Sequence, residues 1–222
     1  MKRSQLLEEL AQRIDRIKRP HPVRVAIDGV DAAGKTTLAD DIVPPLQARE
    51  RSVIRASIDG FHTPARLRYQ RGSISPVGYY QDSFNYHALI ESLLVPLGPD
   101  GSLQYRPAVF DYRTDSAVHG PLRVAEVNAV LLFDGVFLLR SELREYWEFS
   151  IFIDANFEVT LARAQQRDYT FLGNVAEVTK RYEQRYIPGQ KLYLEECRPK
   201  ERAAITIDNN DPANPLLYEG QD

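Results

Sequence analysis

The apolar and polar positions divide the chain into alternating helices and strands. Leu6, Leu7, Leu10, Ile14 and Ile17 recur at helical spacing with charges between them, which predicts an amphipathic helix over residues 4–18. Pro20-His21-Pro22 stops it. Val23 to Ile27 is a β-branched run that reads as a buried strand ending at Asp28-Gly29. A helix should follow from Lys35 to about Val43, where Pro44-Pro45 interrupts it. Ser52 to Ile58 reads as a second strand, ending at Asp59-Gly60. Residues 61–86 show no clear period and read as a long loop, and a loop of that length usually serves a function or is mobile. Tyr86 to Leu97 reads as helix, and residues 102–126 as short strands and turns around Pro107 and Pro121.

The second half repeats the alternation. Val127 to Phe133 is a strong buried strand ending at Asp134-Gly135, and Ser150 to Ile153 is another, ending at Asp154. A helix is predicted from Phe157 to Arg167. A largely helical stretch follows from Val175 to Glu196, broken near Pro188-Gly189. Ala204 to Ile207 is a last strand before a polar tail expected to be poorly ordered. Strands alternating with helices imply an α/β fold, a mostly parallel sheet with helices on both faces. In such sheets a ligand binds at the carboxyl ends of the strands. Four strands end in aspartate, at positions 28, 59, 134 and 154, so Asp59 and Asp134 are candidates before any motif is considered.

Composition narrows the function classes. The 222 residues suit one sizeable domain. A net charge of -3 gives no global basic field, and no basic stripe with interleaved aromatics points to nucleic acid. Cys197 is the only cysteine, which rules out an intramolecular disulfide and suits a reducing compartment. Neither His62 nor His21, His87 or His119 sits at zinc-ligand spacing with a cysteine or another histidine. No stretch approaches the roughly 18–20 apolar residues of a membrane span, and the N-terminus has no signal-peptide pattern, so a cytoplasmic location is expected.

Gly29-Val30-Asp31-Ala32-Ala33-Gly34-Lys35-Thr36 matches G-x-x-x-x-G-K-[ST] in full, with a predicted strand before it and a predicted helix after it. Glycines let the backbone curl so that successive N–H groups face one anion, and the following helix adds the positive end of its dipole. Lys35 would reach the β- and γ-phosphates of ATP, and the Thr36 hydroxyl is a hard oxygen suited to Mg2+. Thr37 continues the nucleotide-binding segment. Asp134, beside the loop, would hold Mg2+ directly or through water, with a strand-end turn as the competing reading. Asp59 would accept the proton of an attacking hydroxyl, against the alternative of a turn aspartate. His62 would contact substrate or cap a helix.

These residues together resemble the uridine kinase and phosphoribulokinase superfamily, which includes a pantothenate kinase branch. The likeness spans about residues 22–210, in order: the loop, Asp59-Gly60-Phe61-His62, an aromatic-Asp segment, Phe133-Asp134-Gly135, then an arginine-bearing lid. The resemblance implies a P-loop kinase fold with a small lid over residues 166–190, an N-terminal helix in residues 1–21 and a tail in residues 211–222. It implies that Asp59 is the catalytic aspartate and that Asp134 stands where the family has a metal-binding glutamate. Tyr79 to Asn85 is similar to the family's Asp-His-Pro-Asp-Ala-Phe-Asp segment, so Asp82 would bind ribose hydroxyls, unless it caps the helix that follows. Pro107 to Arg113 is similar to the segment lining the base pocket, with Phe110, Tyr112 and Arg113 as pocket residues unless they pack in the core.

Arg167-Asp168 matches the opening of the family lid, and Arg163 lies one turn before it. Arg181 and Arg185 form a second pair at that spacing, and such arginines would offset phosphoryl charge unless they are a solvated face. The family's lid Arg-Gly-Arg is replaced by Leu172-Gly173-Asn174, and the histidine expected after the base-pocket aromatic is absent, with Asp115 near its place. The resemblance therefore implies ATP- and Mg2+-dependent phosphorylation of a small metabolite, a nucleoside first and pantothenate or a sugar second. A homo-oligomer is possible, as in many of these enzymes. An NTP-hydrolysing switch is the alternative of another class, but no Asn-Lys-x-Asp base signature accompanies the loop. A degenerate binding module would not keep Gly34-Lys35-Thr36 and Asp134 together.

Overall fold

A computed structural model describes residues 1–220 of the chain, with every side chain among them except those of Phe171 and Leu172. All seven residues of β1 (Val23–Gly29) are buried, because this strand lies inside the sheet with helices on both sides. β1 is hydrogen-bonded in parallel to β7 (Val130–Gly135) on one flank and to β8 (Phe149–Asp154) on the other. Beyond β7 lies β2 (Val53–Ser57), and beyond β8 lies β9 (Ile205–Asp208), both parallel. A sixth strand, β10 (Leu216–Glu219), pairs antiparallel with β9, giving the order β10-β9-β8-β1-β7-β2. The expected polar tail thus closes one sheet edge.

Two apolar layers cover the sheet. On one face α1 (Arg3–Arg16) buries Leu6, Leu10 and Ile14, and α2 (Lys35–Asp41) buries Leu38 and Ala39, in one cluster with Val25, Ile27, Leu132 and Ile151. Pro44-Pro45 does not end the helical path. Both prolines sit in the first turn of α3 (Val43–Gln47), where a missing N–H costs nothing. On the opposite face lie α5 (Pro76–Asp82), α6 (Tyr86–Leu89) and α9 (Ile187–Cys197), around Phe133, Phe137 and Phe152. A π-type turn, Ile90–Leu94, extends α6.

Residues 61–86, expected as loop, carry two short helices, α4 (Ala65–Arg68) and α5. Neither is long enough to show a period, and α5 begins with Pro76 under a cap in which Ser75 Oγ accepts from the Gly78 amide. Four two-residue strands, β3 (Gln104–Tyr105), β4 (Phe110–Asp111), β5 (Ser116–Ala117) and β6 (Arg123–Val124), form two small antiparallel pairs over residues 104–124. β7 starts at Val130, later than expected, because Val127 and Asn128 lie in the preceding turn.

After β8, α7 (Phe157–Leu172) runs a full turn past Arg167 and stops at Gly173, whose φ of 98° suits only glycine. α8 (Val175–Arg181), a π-type segment Tyr182–Tyr186 and α9 then follow without a break. The expected break at Pro188-Gly189 is absent because Pro188 occupies the first turn of α9. α10 (Pro199–Arg202) leads into β9. No helix among the described residues is long and apolar enough to cross a membrane.

Candidate active site

The loop between β1 and α2 lies at the carboxyl edge of the sheet, and its shape follows from three unusual residues. Gly34 has φ 102°, and a Cβ there would come within 2.7 Å of Asn209 Nδ2. A Cβ on Gly29 would come within 2.4 Å of the Ile153 carbonyl oxygen. Ala32 adopts φ 58°. The turn is held from three sides: Asn209 Nδ2 donates to the Ala33 carbonyl (2.7 Å), the Asp31 amide donates to Gln190 Oε1 (2.7 Å), and the Tyr79 hydroxyl donates to Asp31 Oδ2 (2.7 Å). Lys35 is buried, and its Nζ donates to the Val30 carbonyl across the loop (2.7 Å). Burial pushes its pKa down, while Asp31, Asp28 and Asp134 oppose that shift. A lysine so dehydrated gains most from an anion.

Two cavities open on either side of this loop. The first, about 630 Å³, is lined by Asp59, His62, Phe84, Tyr112, Arg113 and Asp134 among others. The second, about 570 Å³, is lined by Gly34, Thr37, Arg163, Asn209, Pro212 and Arg3 among others. Ala32, Lys35, Thr36 and Arg167 line both, so the cavities meet at the loop.

At the junction Thr36 Oγ1 donates to Asp134 Oδ2 (2.7 Å). These two hard oxygens at the mouth of the loop suit a divalent cation that keeps most of its waters, so the donor set fits Mg2+. No group of three or more His, Cys, Asp or Glu side chains among the described residues forms a denser metal site. The other oxygen of Asp134 accepts from Arg55 Nη2 (2.8 Å), and Arg55 also bonds Asp40 and the Leu132 carbonyl. Sequence reading missed Arg55. Its alternation along β2 marks it as facing away from the core, but nothing in the pattern tells which carboxylate it meets.

Asp59 lies in a 3-10 turn, Ile58–Phe61, just after β2, with its carboxylate facing the first cavity. The surrounding protein raises its pKa above the ordinary carboxylate range; His62 opposes this, and Asp31 and Asp134 add to it. His62 Nδ1 lies 3.1 Å from the Asp59 carbonyl, and its ring packs between Phe84 (4.6 Å) and Tyr112 (4.8 Å). Arg113 lines the same wall, with its guanidinium 5.8 Å from the Tyr112 ring. Arg167 is bonded through Nε and Nη2 to Asp168 (2.6 and 3.0 Å) and through Nη2 to the Tyr182 hydroxyl (3.2 Å).

Other candidates lie elsewhere. Asp82 ends α5 and pairs with Arg71 (2.8 Å); it lines neither cavity, and it caps no helix, since Asn85 caps α6. Phe110 and Arg181 also line neither cavity. Arg185 is fully buried, and its guanidinium donates to the carbonyls of Gly72, Ser73 and Ser75 (3.1–3.4 Å). It braces the segment before α5 instead of reaching a cavity. Of the four strand-end aspartates, Asp28 is wholly buried against the Tyr193 hydroxyl and Asp154 pairs with Lys200 (2.6 Å). Only Asp59 and Asp134 face the cleft.

Known proteins agree with this architecture. The family model described as "Phosphoribulokinase / Uridine kinase family" matches residues 25–209. "Uridine-cytidine kinase B" of Dictyostelium discoideum is 25% identical over 177 residues, covering 78% of this chain and 70% of that protein. "Uridine kinase" of Halalkalibacterium halodurans is 26% identical over 193 residues, covering 84% of this chain and 85% of that protein. The structure of a possible uridine kinase from Bacillus stearothermophilus superposes with a TM-score of 0.72 at 22% identity, covering 91% of this chain and 97% of that one.

Proposed function

The chain belongs to the phosphoribulokinase and uridine kinase family, and from that premise we propose that it transfers the γ-phosphoryl group of ATP to a hydroxyl of a nucleoside. The observation that carries this reading is the meeting of two cavities at Lys35, Thr36 and Arg167, with the Asp59 carboxylate lining the first of them. A nucleotide whose terminal phosphates lie on the loop has its base in the second cavity and presents its γ-phosphate to the first.

The loop amides and Lys35 grip the phosphates, assisted by Val30, Asp31, Ala32 and Ala33, whose backbone shapes the turn. Thr36 and Asp134 would hold Mg2+, which when bound neutralises charge on the β- and γ-phosphates. Asp59 takes the proton of the acceptor hydroxyl as its oxygen attacks phosphorus in line, while the bond to the departing ADP breaks. A raised pKa makes Asp59 a stronger base than an ordinary carboxylate. Arg167 reaches the transferring group from α7, at the start of the lid segment 166–190, whose far end is anchored by the buried Arg185 and Gln190. The acceptor side carries three aromatic rings, His62 tilted against Phe84 and Tyr112, whose faces and edges favour a nucleobase over pantothenate or a sugar.

The test is ADP release from ATP-Mg2+ with a panel of nucleosides, pantothenate and sugars. Uridine or cytidine should support turnover best. Lys35→Ala should abolish it in a folded protein. Asp59→Asn should lower kcat by roughly 10²- to 10⁴-fold with ATP affinity unchanged. Nucleotide hydrolysis that no acceptor accelerates would instead indicate a switch.

A further inference from the structure

The second cavity contains a residue from outside the segment that the family model matches. That match begins at residue 25, yet Arg3, the first residue of α1, lines the cavity together with Thr37, Arg163, Asn209 and Pro212. Arg3 is held in place: its Nε and Nη2 both donate to Asp41 Oδ2 (2.9 and 2.7 Å) at the end of α2. Arg163 is held in a comparable way, its Nη2 donating to the carbonyls of Asn209 and Asn210 (2.8 and 3.1 Å).

Each guanidinium is thus fixed through its edge, and bonds of that kind lie in its plane and do not themselves occupy its faces. Such faces attract aromatic rings, and more so away from water. The phosphate end of the cavity is already defined by Lys35, Thr36 and Arg167. Arg3 and Arg163 line the same cavity without belonging to the loop, which leaves them to meet the other end of the ligand.

We propose that α1 is part of the donor-nucleotide site and that Arg3 binds the nucleotide base through its guanidinium face, in the cavity that Arg163 also lines. This rests on the kinase reading above, because it takes the second cavity to be the donor site. α1 then has two roles. Its apolar stripe of Leu6, Leu10 and Ile14 covers the sheet, and its first turn completes a binding wall.

The experiment separates base from phosphate by titrating the full chain with ADP-Mg2+ and, separately, with tripolyphosphate-Mg2+, which has no base. Arg3→Ala should weaken ADP binding by roughly 3- to 30-fold while leaving tripolyphosphate binding unchanged. Equal weakening of both ligands would place Arg3 on the phosphates and overturn the proposal. A drop in melting temperature with both affinities unchanged would reduce Arg3 to a strut between α1 and α2, and would overturn it too. Arg3→Met, which keeps the apolar stem, gives the same readout if the alanine variant does not fold. Failure of the unsubstituted chain to bind tripolyphosphate would instead strike the kinase reading itself, and this proposal with it.

Discussion

Asp28 shows how far one residue's surroundings change its chemistry. It is wholly buried one position before the phosphate loop, accepting from the Tyr193 hydroxyl and from the Gly29 amide (2.8 Å). Burial raises its pKa to about 6, with Tyr193, the Gly29 amide and Lys35 opposing. In the unfolded chain it titrates near its ordinary value of 3.8. Between these values the folded state holds the proton and the unfolded state does not, so this group's contribution falls as pH rises from about 4 to 6. Asp28→Asn cannot ionise and should remove that slope. The stability of the variant relative to the original chain should therefore grow on going from pH 4 to pH 7, by on the order of 1–3 kcal/mol. Urea unfolding of both proteins at several pH values would measure it. A difference independent of pH would mean that Asp28 titrates normally.

At the scale of elements, residues 68–82 and α7 to α9 are tied together by contacts that sequence spacing does not reveal. The spacing of four puts Arg181 and Arg185 on one helix face, to offset phosphoryl charge or meet solvent, but the π-type turn Tyr182–Tyr186 changes the phase of the helix between them. Arg185 turns inward, between the rings of Tyr69 (4.9 Å) and Tyr79 (5.6 Å), and holds the carbonyls of Gly72, Ser73 and Ser75. Tyr79 in turn bonds Asp31 of the phosphate loop. Arg185→Met should leave the partly exposed carbonyls of Gly72, Ser73 and Ser75 without this donor, costing about 1–3 kcal/mol. It should raise KM for the acceptor more than KM for ATP, because the released segment leads into α5 beside the acceptor cavity. Steady-state kinetics with each substrate varied would check this, and an equal rise in both would contradict it.

The same contrast explains what the sequence made legible. The buried strands and the loop at Gly29 to Thr36 were readable because apolar runs and glycine spacing are local signals. Asp59 and Asp134 were readable because strand ends in a parallel sheet converge on one edge. Arg55, Gln190, Asn209 and Arg3 were not, since each reaches the site from a different element and bears no signal of its destination. Asp82 shows a related effect: a motif can match while its carboxylate turns to a neighbouring arginine, here Arg71.

For the whole molecule, the two chain ends determine how the sheet is closed. β10 covers the outer edge of β9, and Arg13 of α1 bonds both carboxylate oxygens of Glu219 on β10 (2.6 and 2.7 Å). That ion pair is exposed to solvent, so by itself it contributes little. The strand pairing matters more, because without it β9 would present a row of unpaired amides and carbonyls beside the buried Ile205 and Ile207. Truncation after Asn214 removes β10 but keeps Asn209 and Pro212 in the second cavity. The shortened protein should melt at lower temperature and self-associate through the bared edge, while retaining tripolyphosphate binding at the loop. Size-exclusion chromatography at rising concentration, with a titration on the same sample, tests both parts. A monomer of unchanged melting temperature would show that the edge needs no cover. Loss of phosphate binding would show that β10 also sets the position of Asn209, whose side chain fixes the loop at Ala33.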